Sequence, residues 1–128
     1  MIYLDSSVVL ARLLSEPRYT PDSLWSEDVF SSRLVEYEVW NRIHARQLTR
    51  KLGEKTQTLL GYIDLVDLSA EVLARALEPF PIPVRALDAL HLATIDYVRG
   101  QGQTVKLASF DDRMVASARA LGIALYEP

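Results

Sequence analysis

Short apolar runs alternate with longer amphipathic stretches along the 128 residues of the chain. Ile2-Tyr3-Leu4 is an apolar run ended by Asp5 and reads as a buried strand. Val8, Leu10, Leu13 and Leu14 follow at mixed helical spacing, which predicts a helix from Ser6 to Leu14 stopped by Glu16-Pro17. Pro21 through Ser26 suits a second short helix, and Val29-Phe30 a small strand. Ser31 or Ser32 then caps a long helix running to about Leu52, with Gly53 as its C-terminal stop and a further helix from Glu54 to about Gly61.

The second half repeats the alternation. Ile63, Leu65, Val66 and Leu68 suggest a strand, and Ser69 caps a helix through Leu77 with Glu71 near its start. Pro79, Pro81 and Pro83 mark an extended connection. Ala86 to Val98 is a strongly apolar helix ended near Gly100 and Gly102. Val105 to Ala108 is a strand, Asp111 to Leu121 a helix closed by Gly122, and Ile123 to Tyr126 the last strand. Strand and helix in turn predict βαβ units, and so an α/β fold with a mainly parallel central sheet flanked by helices. No repeat, low-complexity tract or long linker divides the chain, so one domain over residues 1–128 is expected.

Composition narrows the reading. Hydrophobic residues make up 49% and charged residues 24%, a balance that expects a folded core rather than disorder. With no cysteine, disulfides and thiolate metal sites are excluded, which suits a reducing cytoplasm. Asp5 and Arg12 interrupt the apolar start, so no signal peptide is expected, and no run reaches the length of a membrane span. The net charge of −3 speaks against a generally cationic nucleic-acid binder, yet residues 33–55 hold six basic side chains against three glutamates. Arg42, Arg46 and Arg50 recur at i, i+4 and i+8, which on one helix makes a stripe suited to RNA phosphates or simply a solvated face.

Ligands of open α/β sheets bind beyond the C-terminal ends of the strands. Asp5 directly follows the first strand, and Asp111 and Asp112 follow the strand ending at Ala108. Glu38 falls within the apolar arc of Leu34, Val35, Val39, Ile43 and Ala45, whereas Glu36 falls outside it and is expected in solvent. Asp88 opens the Ala86–Val98 helix between Leu87 and Leu90. A carboxylate aimed at a core is expensive unless paired or bound to metal, and no fixed basic partner is evident for Glu38 or Asp88. Converging carboxylates supply the hard oxygens that Mg²⁺ or Mn²⁺ requires.

Blander roles compete. Asp5, Asp111 and Asp112 each suit a helix N-cap, and Ser109 with Asp112 fits a capping box, which favours a structural role for Asp112. Asp88 suits a helix dipole, and His91, three residues on, suits a packed histidine bonded locally. Ser6 and Ser109 fit either turn roles or support of a carboxylate. Tyr37 and Trp40 fall off the apolar arc and suit either packing under the neighbouring helix or a partner surface.

The segments MIYLDSSVVLARL, SRLVEYEVWNRIHAR, ALDALHLATID and KLASFDDRMVASARALGIALYEP together resemble the PIN-domain nucleases, particularly the VapC-type toxins of toxin–antitoxin pairs. The resemblance spans essentially the whole chain and aligns Asp5, Glu38, Asp88 and Asp111 with the four acids of the family, Asp112 adjoining the fourth. It implies a three-layer, Rossmann-like PIN fold, Mg²⁺ or Mn²⁺ dependence, RNA cleavage, a homodimer and a small inhibitory antitoxin. Two alternatives stand beside it. A catalytically silent PIN-like interaction module is one, against which the four acids count. A phosphatase forming an aspartyl-phosphate at Asp5 is the other, against which Ser7 counts, because that class places an acid two residues after the nucleophile.

Overall fold

Side chains alternate between the two faces of a strand, and the shortest strands here show what that does to a core. The protein is described from a computed structural model covering residues 1–18 and 20–127. Its elements run β1 (Ile2–Leu4), α1 (Ser6–Leu13), α2 (Asp22–Trp25), β2 (Val29–Ser32), α3 (Leu34–Ala45), α4 (Thr49–Gly61), β3 (Asp64–Val66), α5 (Ala70–Ala76), α6 (Ala86–Gly100), β4 (Lys106–Ala108), α7 (Asp112–Ala120) and β5 (Ala124–Leu125). Ile2, Leu4, Val29 and Ala108 pack with Val8 and Val9 of α1, Val35, Val39 and Ile43 of α3, and Leu52 and Leu60 of α4. Their strand neighbours Tyr3, Phe30 and Leu107 point the other way, against Leu92, Ile95 and Val98 of α6 and Met114 and Ala118 of α7. Two apolar cores thus sandwich one sheet, giving the three layers expected of an α/β fold.

All strand pairings are parallel, and the sheet order is β3-β2-β1-β4-β5. The chain therefore winds outward from β1 through β2 to β3, then crosses back to place β4 on the other side of β1. The direction of winding reverses between β1 and β4, where the loops after the two strands part and leave a crevice. Asp5 and Ser109 immediately follow those two strands.

The long helix expected to run to Leu52 is broken. It ends at Ala45, Gln47 takes a left-handed backbone at φ 58°, and α4 begins at Thr49. Periodicity explains the break. Val35, Val39 and Ile43 form the buried stripe of α3, and Leu52 lies nine residues after Ile43. At about 100° per residue, a continuous helix would turn Leu52 to the opposite face from Ile43. The corner lets Leu52, Thr56 and Leu60 of α4 join the same side of the sheet. His44 Nδ1 and Thr49 Oγ1, 2.6 Å apart, tie the two helices across it. Gly53 accordingly lies inside α4 and terminates nothing, whereas Gly122, at φ 72°, does end α7.

The broken helix also removes the proposed arginine stripe. Arg42 is on α3, Arg46 follows its last residue and Arg50 belongs to α4, so the three share no helix face. No helix of the described residues is long and apolar enough to cross a membrane.

Candidate metal-binding and nuclease site

The crevice beyond β1 and β4 gathers acidic side chains from elements far apart in sequence. Asp5 takes its place because β1 ends at Leu4 and its backbone N–H donates to Ala108 O of β4 at 3.0 Å, stitching the two strand ends together. Asp5 is only 5% exposed. Its Oδ2 accepts hydrogen bonds from Ser7 Oγ at 2.7 Å and Ser109 Oγ at 2.8 Å. Ser7 Oγ in turn accepts from the backbone N–H of Phe110 at 3.0 Å, so one hydroxyl joins α1 to the loop after β4. Ser109 therefore fills both roles open to it, donating to Asp5 and accepting from the Asp111 N–H in the turn, and the second hydroxyl on Asp5 belongs to Ser7 rather than Ser6. Sequence could not separate the two, because they are adjacent at the start of α1 and only the strand-end geometry selects which one turns inward.

Glu38, Asp88 and Asp111 line a single cleft of about 290 Å³, with Arg85 and Arg113 also on its wall. Glu38 reaches it from the first turns of α3, and Asp88 from the first turn of α6. Asp111 precedes α7 and caps it, its Oδ1 accepting from the backbone N–H groups of Arg113 at 2.9 Å and Met114 at 3.4 Å. The capping box expected of Ser109 and Asp112 does not form. Asp111 is the cap, its own N–H donates to Ser109 Oγ at 3.0 Å, and Asp112 becomes the exposed first residue of the helix. Capping and cleft lining coexist in Asp111, because a carboxylate has two oxygens with lone pairs to share.

The electrostatics mark Asp88. Burial, followed by the charges of Asp111 and Asp5, lifts its pKa above the ordinary carboxylate value, while His91 and Arg113 pull the other way. Asp5, Asp88 and Asp111 thus lie within electrostatic reach of one another. Among the described residues, no three acidic or histidine side chains are drawn tightly enough to enclose a metal. The donor set is nonetheless carboxylate oxygen throughout, and the like charges around Asp88 are what a cation would offset.

Glu38 does have a basic partner, contrary to the expectation from sequence. His91 Nε2 and Glu38 Oε1 are 2.5 Å apart, and Tyr3 Oη and His91 Nδ1 are also 2.5 Å apart. His91 is packed, as expected, but its bonds are to β1 and α3 rather than to neighbours in its own helix. Burial disfavours the charged imidazole, yet the hydrogen bond and charge of Glu38 outweigh it, so the His91 pKa lies above its ordinary value. Burial raises the Tyr3 phenol far above its ordinary range.

The remaining candidates lie apart from the cleft lining. Arg42, Arg46 and Arg50 are exposed, whereas Arg85 and Arg113, which sequence reasoning did not single out as binding residues, are at the site. Their signal was position: Arg85 stands three residues before Asp88 and Arg113 two after Asp111. Glu36 is not simply solvated, since Arg33 Nη1 donates to its Oε1 at 2.7 Å. Tyr37 is 69% exposed, as its place off the arc suggested. Trp40 follows the packing alternative: it is half-buried, packed against the core and stacked on His44 with ring centroids 5.5 Å apart.

Comparison with known proteins adds an independent line. A family model for the PIN domain matches residues 2–120. The chain is 33% identical to Ribonuclease VapC46 of Mycobacterium tuberculosis, over 99% of this chain and 97% of that protein. It is 29% identical to Ribonuclease VapC47 of the same species, over 100% of this chain and 97% of that protein. Identity to Ribonuclease VapC35, also from Mycobacterium tuberculosis, is 27% over 100% of this chain and 97% of that protein. No solved structure matches at a significant level.

Proposed function

The chain belongs to the PIN-domain family, and from that premise we propose that it is a VapC-type endoribonuclease that depends on Mg²⁺ or Mn²⁺ and hydrolyses RNA phosphodiester bonds. The observation that carries the reading is the meeting of Glu38, Asp88 and Asp111 in one cleft at the reversal point of the sheet, with Asp5 at the adjoining strand end. Asp5, Glu38, Asp88 and Asp111 are the residues that would hold the ion, directly or through water. When bound there, such an ion would lower the pKa of water toward neutral pH and offset charge building on the phosphate.

The chain's own groups do the rest. Ser7 and Ser109 hold the Asp5 carboxylate in one orientation by donating to the same oxygen. Arg85 and Arg113 line the cleft wall, where their guanidinium groups would suit the phosphates flanking the scissile bond. The relatives are named ribonucleases of the VapC type, and on that likeness the reading extends to a toxin held in check by a small cognate antitoxin and to a homodimer. Ser7, bonded to Asp5, stands where an aspartyl-phosphate phosphatase would need its second acid, so that alternative has no support at the site.

Purified protein is expected to cut single-stranded RNA with Mg²⁺ or Mn²⁺ and to stop on chelation. Undiminished cleavage in excess EDTA would overturn the proposal. Metal binding without cleavage of any RNA would favour the silent interaction module.

A further inference from the structure

We propose that Tyr3 and His91 form a buried relay of hydrogen bonds that fixes the Glu38 carboxylate for metal binding, which makes both of them positioning residues of the acidic site. The inference rests on the metal-binding reading above and assigns a role to two side chains that the reading does not use.

The three residues come from the three layers of the fold: Tyr3 from β1 in the sheet, His91 from α6 on one face and Glu38 from α3 on the other. They meet only because the two helices overhang the same strand end. His91 is 1% exposed and both of its ring nitrogens are engaged, Nδ1 with Tyr3 Oη and Nε2 with Glu38 Oε1. The Tyr3 ring is itself locked, edge-on to Phe30 with centroids 5.2 Å apart and edge-on to His91 at 5.8 Å. A ring held at both nitrogens and packed on its sides cannot turn without breaking a buried bond.

The direction of the relay follows from the donors. An ionised carboxylate only accepts, so the nitrogen facing Glu38 carries the proton, whether the imidazole is neutral or charged. Nε2–H therefore points at Oε1, and the Tyr3 hydroxyl completes the other end. Glutamate has three rotatable bonds, and each must be fixed when it becomes a ligand. Anchoring Oε1 from within the core restricts that freedom beforehand and leaves the carboxylate facing the cleft that Asp88 and Asp111 also line. Asp5 is served in the same way by Ser7 and Ser109, so two of the four acids are held from behind.

The test is calorimetric titration of Mn²⁺ into the whole protein, with the melting temperature recorded for each variant. Glutamine in place of His91 carries an amide N–H about as far as Nε2, whereas asparagine reaches only the depth of Nδ1 and leaves Oε1 without its donor. His91→Asn is expected to weaken Mn²⁺ binding by roughly 10-fold or more, within the 10–100-fold range of lost partners to metal ligands. His91→Gln should recover most of that loss. Once Glu38→Gln has removed the ligand, adding His91→Asn should weaken binding no further.

A purely structural role for His91 predicts otherwise. Equal losses in His91→Asn and His91→Gln, or a loss from His91→Asn that persists undiminished beside Glu38→Gln, would overturn the relay. Should neither His91 variant fold, Tyr3→Phe keeps the ring in place and removes only the hydroxyl, and unchanged Mn²⁺ affinity there would overturn it. Nitrogen-resolved NMR of the imidazole, recorded without metal, should find a proton on Nε2, and a ring protonated on Nδ1 alone would also overturn it. Failure of the wild-type protein to bind Mn²⁺ would instead bring down the metal reading itself, and the relay with it.

Discussion

Asp88 is the residue whose environment argues most directly for a cation. Burial and the carboxylates of Asp111 and Asp5 hold its pKa above that of a free aspartate. A folded carboxyl with a raised pKa opposes folding once it ionises. In metal-free buffer, stability should therefore fall as pH climbs from the ordinary carboxylate value through the raised one. Asp88→Asn should flatten that stretch of the pH–stability curve and raise the Tm at neutral pH, as read by thermal melts in EDTA. A lower Tm for Asp88→Asn at neutral pH would count against the uncompensated charge. Asp5→Asn keeps the shape of the side chain and one acceptor for Ser7 and Ser109, so it should fold normally and lose RNA cleavage to background. Glu36→Gln, which loosens only a surface pair with Arg33, is the matched control, expected to change stability by less than about 1 kcal/mol and to leave cleavage intact. Wild-type cleavage by Asp5→Asn would remove it from the ligand set.

At the scale of elements, the corner between α3 and α4 decides which cations can serve the site. It disperses Arg42, Arg46 and Arg50, while the starts of α6 and α7 bring Arg85 and Arg113 to the acids. A cation that contacts phosphate weakens binding when removed and reduces the salt dependence, by about 0.7 in the log–log slope per contact for a single strand. Arg113→Ala, made beside Asp5→Asn so that bound RNA is not cut, should show both effects in a fluorescence anisotropy titration across salt. Arg50→Ala in the same background should show neither. The reverse ranking would return the RNA path to the α3–α4 surface.

For the whole molecule, the question is how a partner would silence the site. A cleft lined by Glu38, Asp88 and Asp111 suits an inserted arginine, whose planar fork pairs with carboxylates, and such a plug competes with metal for the same oxygens. Inhibition by the proposed antitoxin should therefore weaken as Mg²⁺ rises, and inhibition indifferent to Mg²⁺ would argue against a plug. Tyr37 is the better probe of the docking surface than Trp40. Tyr37 projects into solvent from the helix that carries Glu38, whereas Trp40 packs on the core and against His44. Tyr37→Ala should weaken partner affinity in calorimetry while leaving the Tm and the free enzyme's cleavage unchanged. Trp40→Ala should lower the Tm as well, so its effect on binding is not clean.

The sequence by itself determined the succession of strands and helices, the parallel sheet and the places of the acids along it, because these depend on local periodicity and on which residue follows each strand. Asp5 and Asp111 were legible as strand-end acids, and Glu38 as a charge within an apolar arc. Tertiary structure decided what no local pattern encodes. The break at Gln47 follows from a demand that Ile43 and Leu52 face one core, a condition on two helices and a sheet together. Selection of Ser7 over Ser6 required β1 and β4 to be paired. The bond between His91 and Glu38 joins residues 53 positions apart, and that between Tyr3 and His91 residues 88 apart. Such pairings arise because helices from opposite faces of a sheet converge at its edge, and their partners are set by distance in space rather than by spacing along the chain.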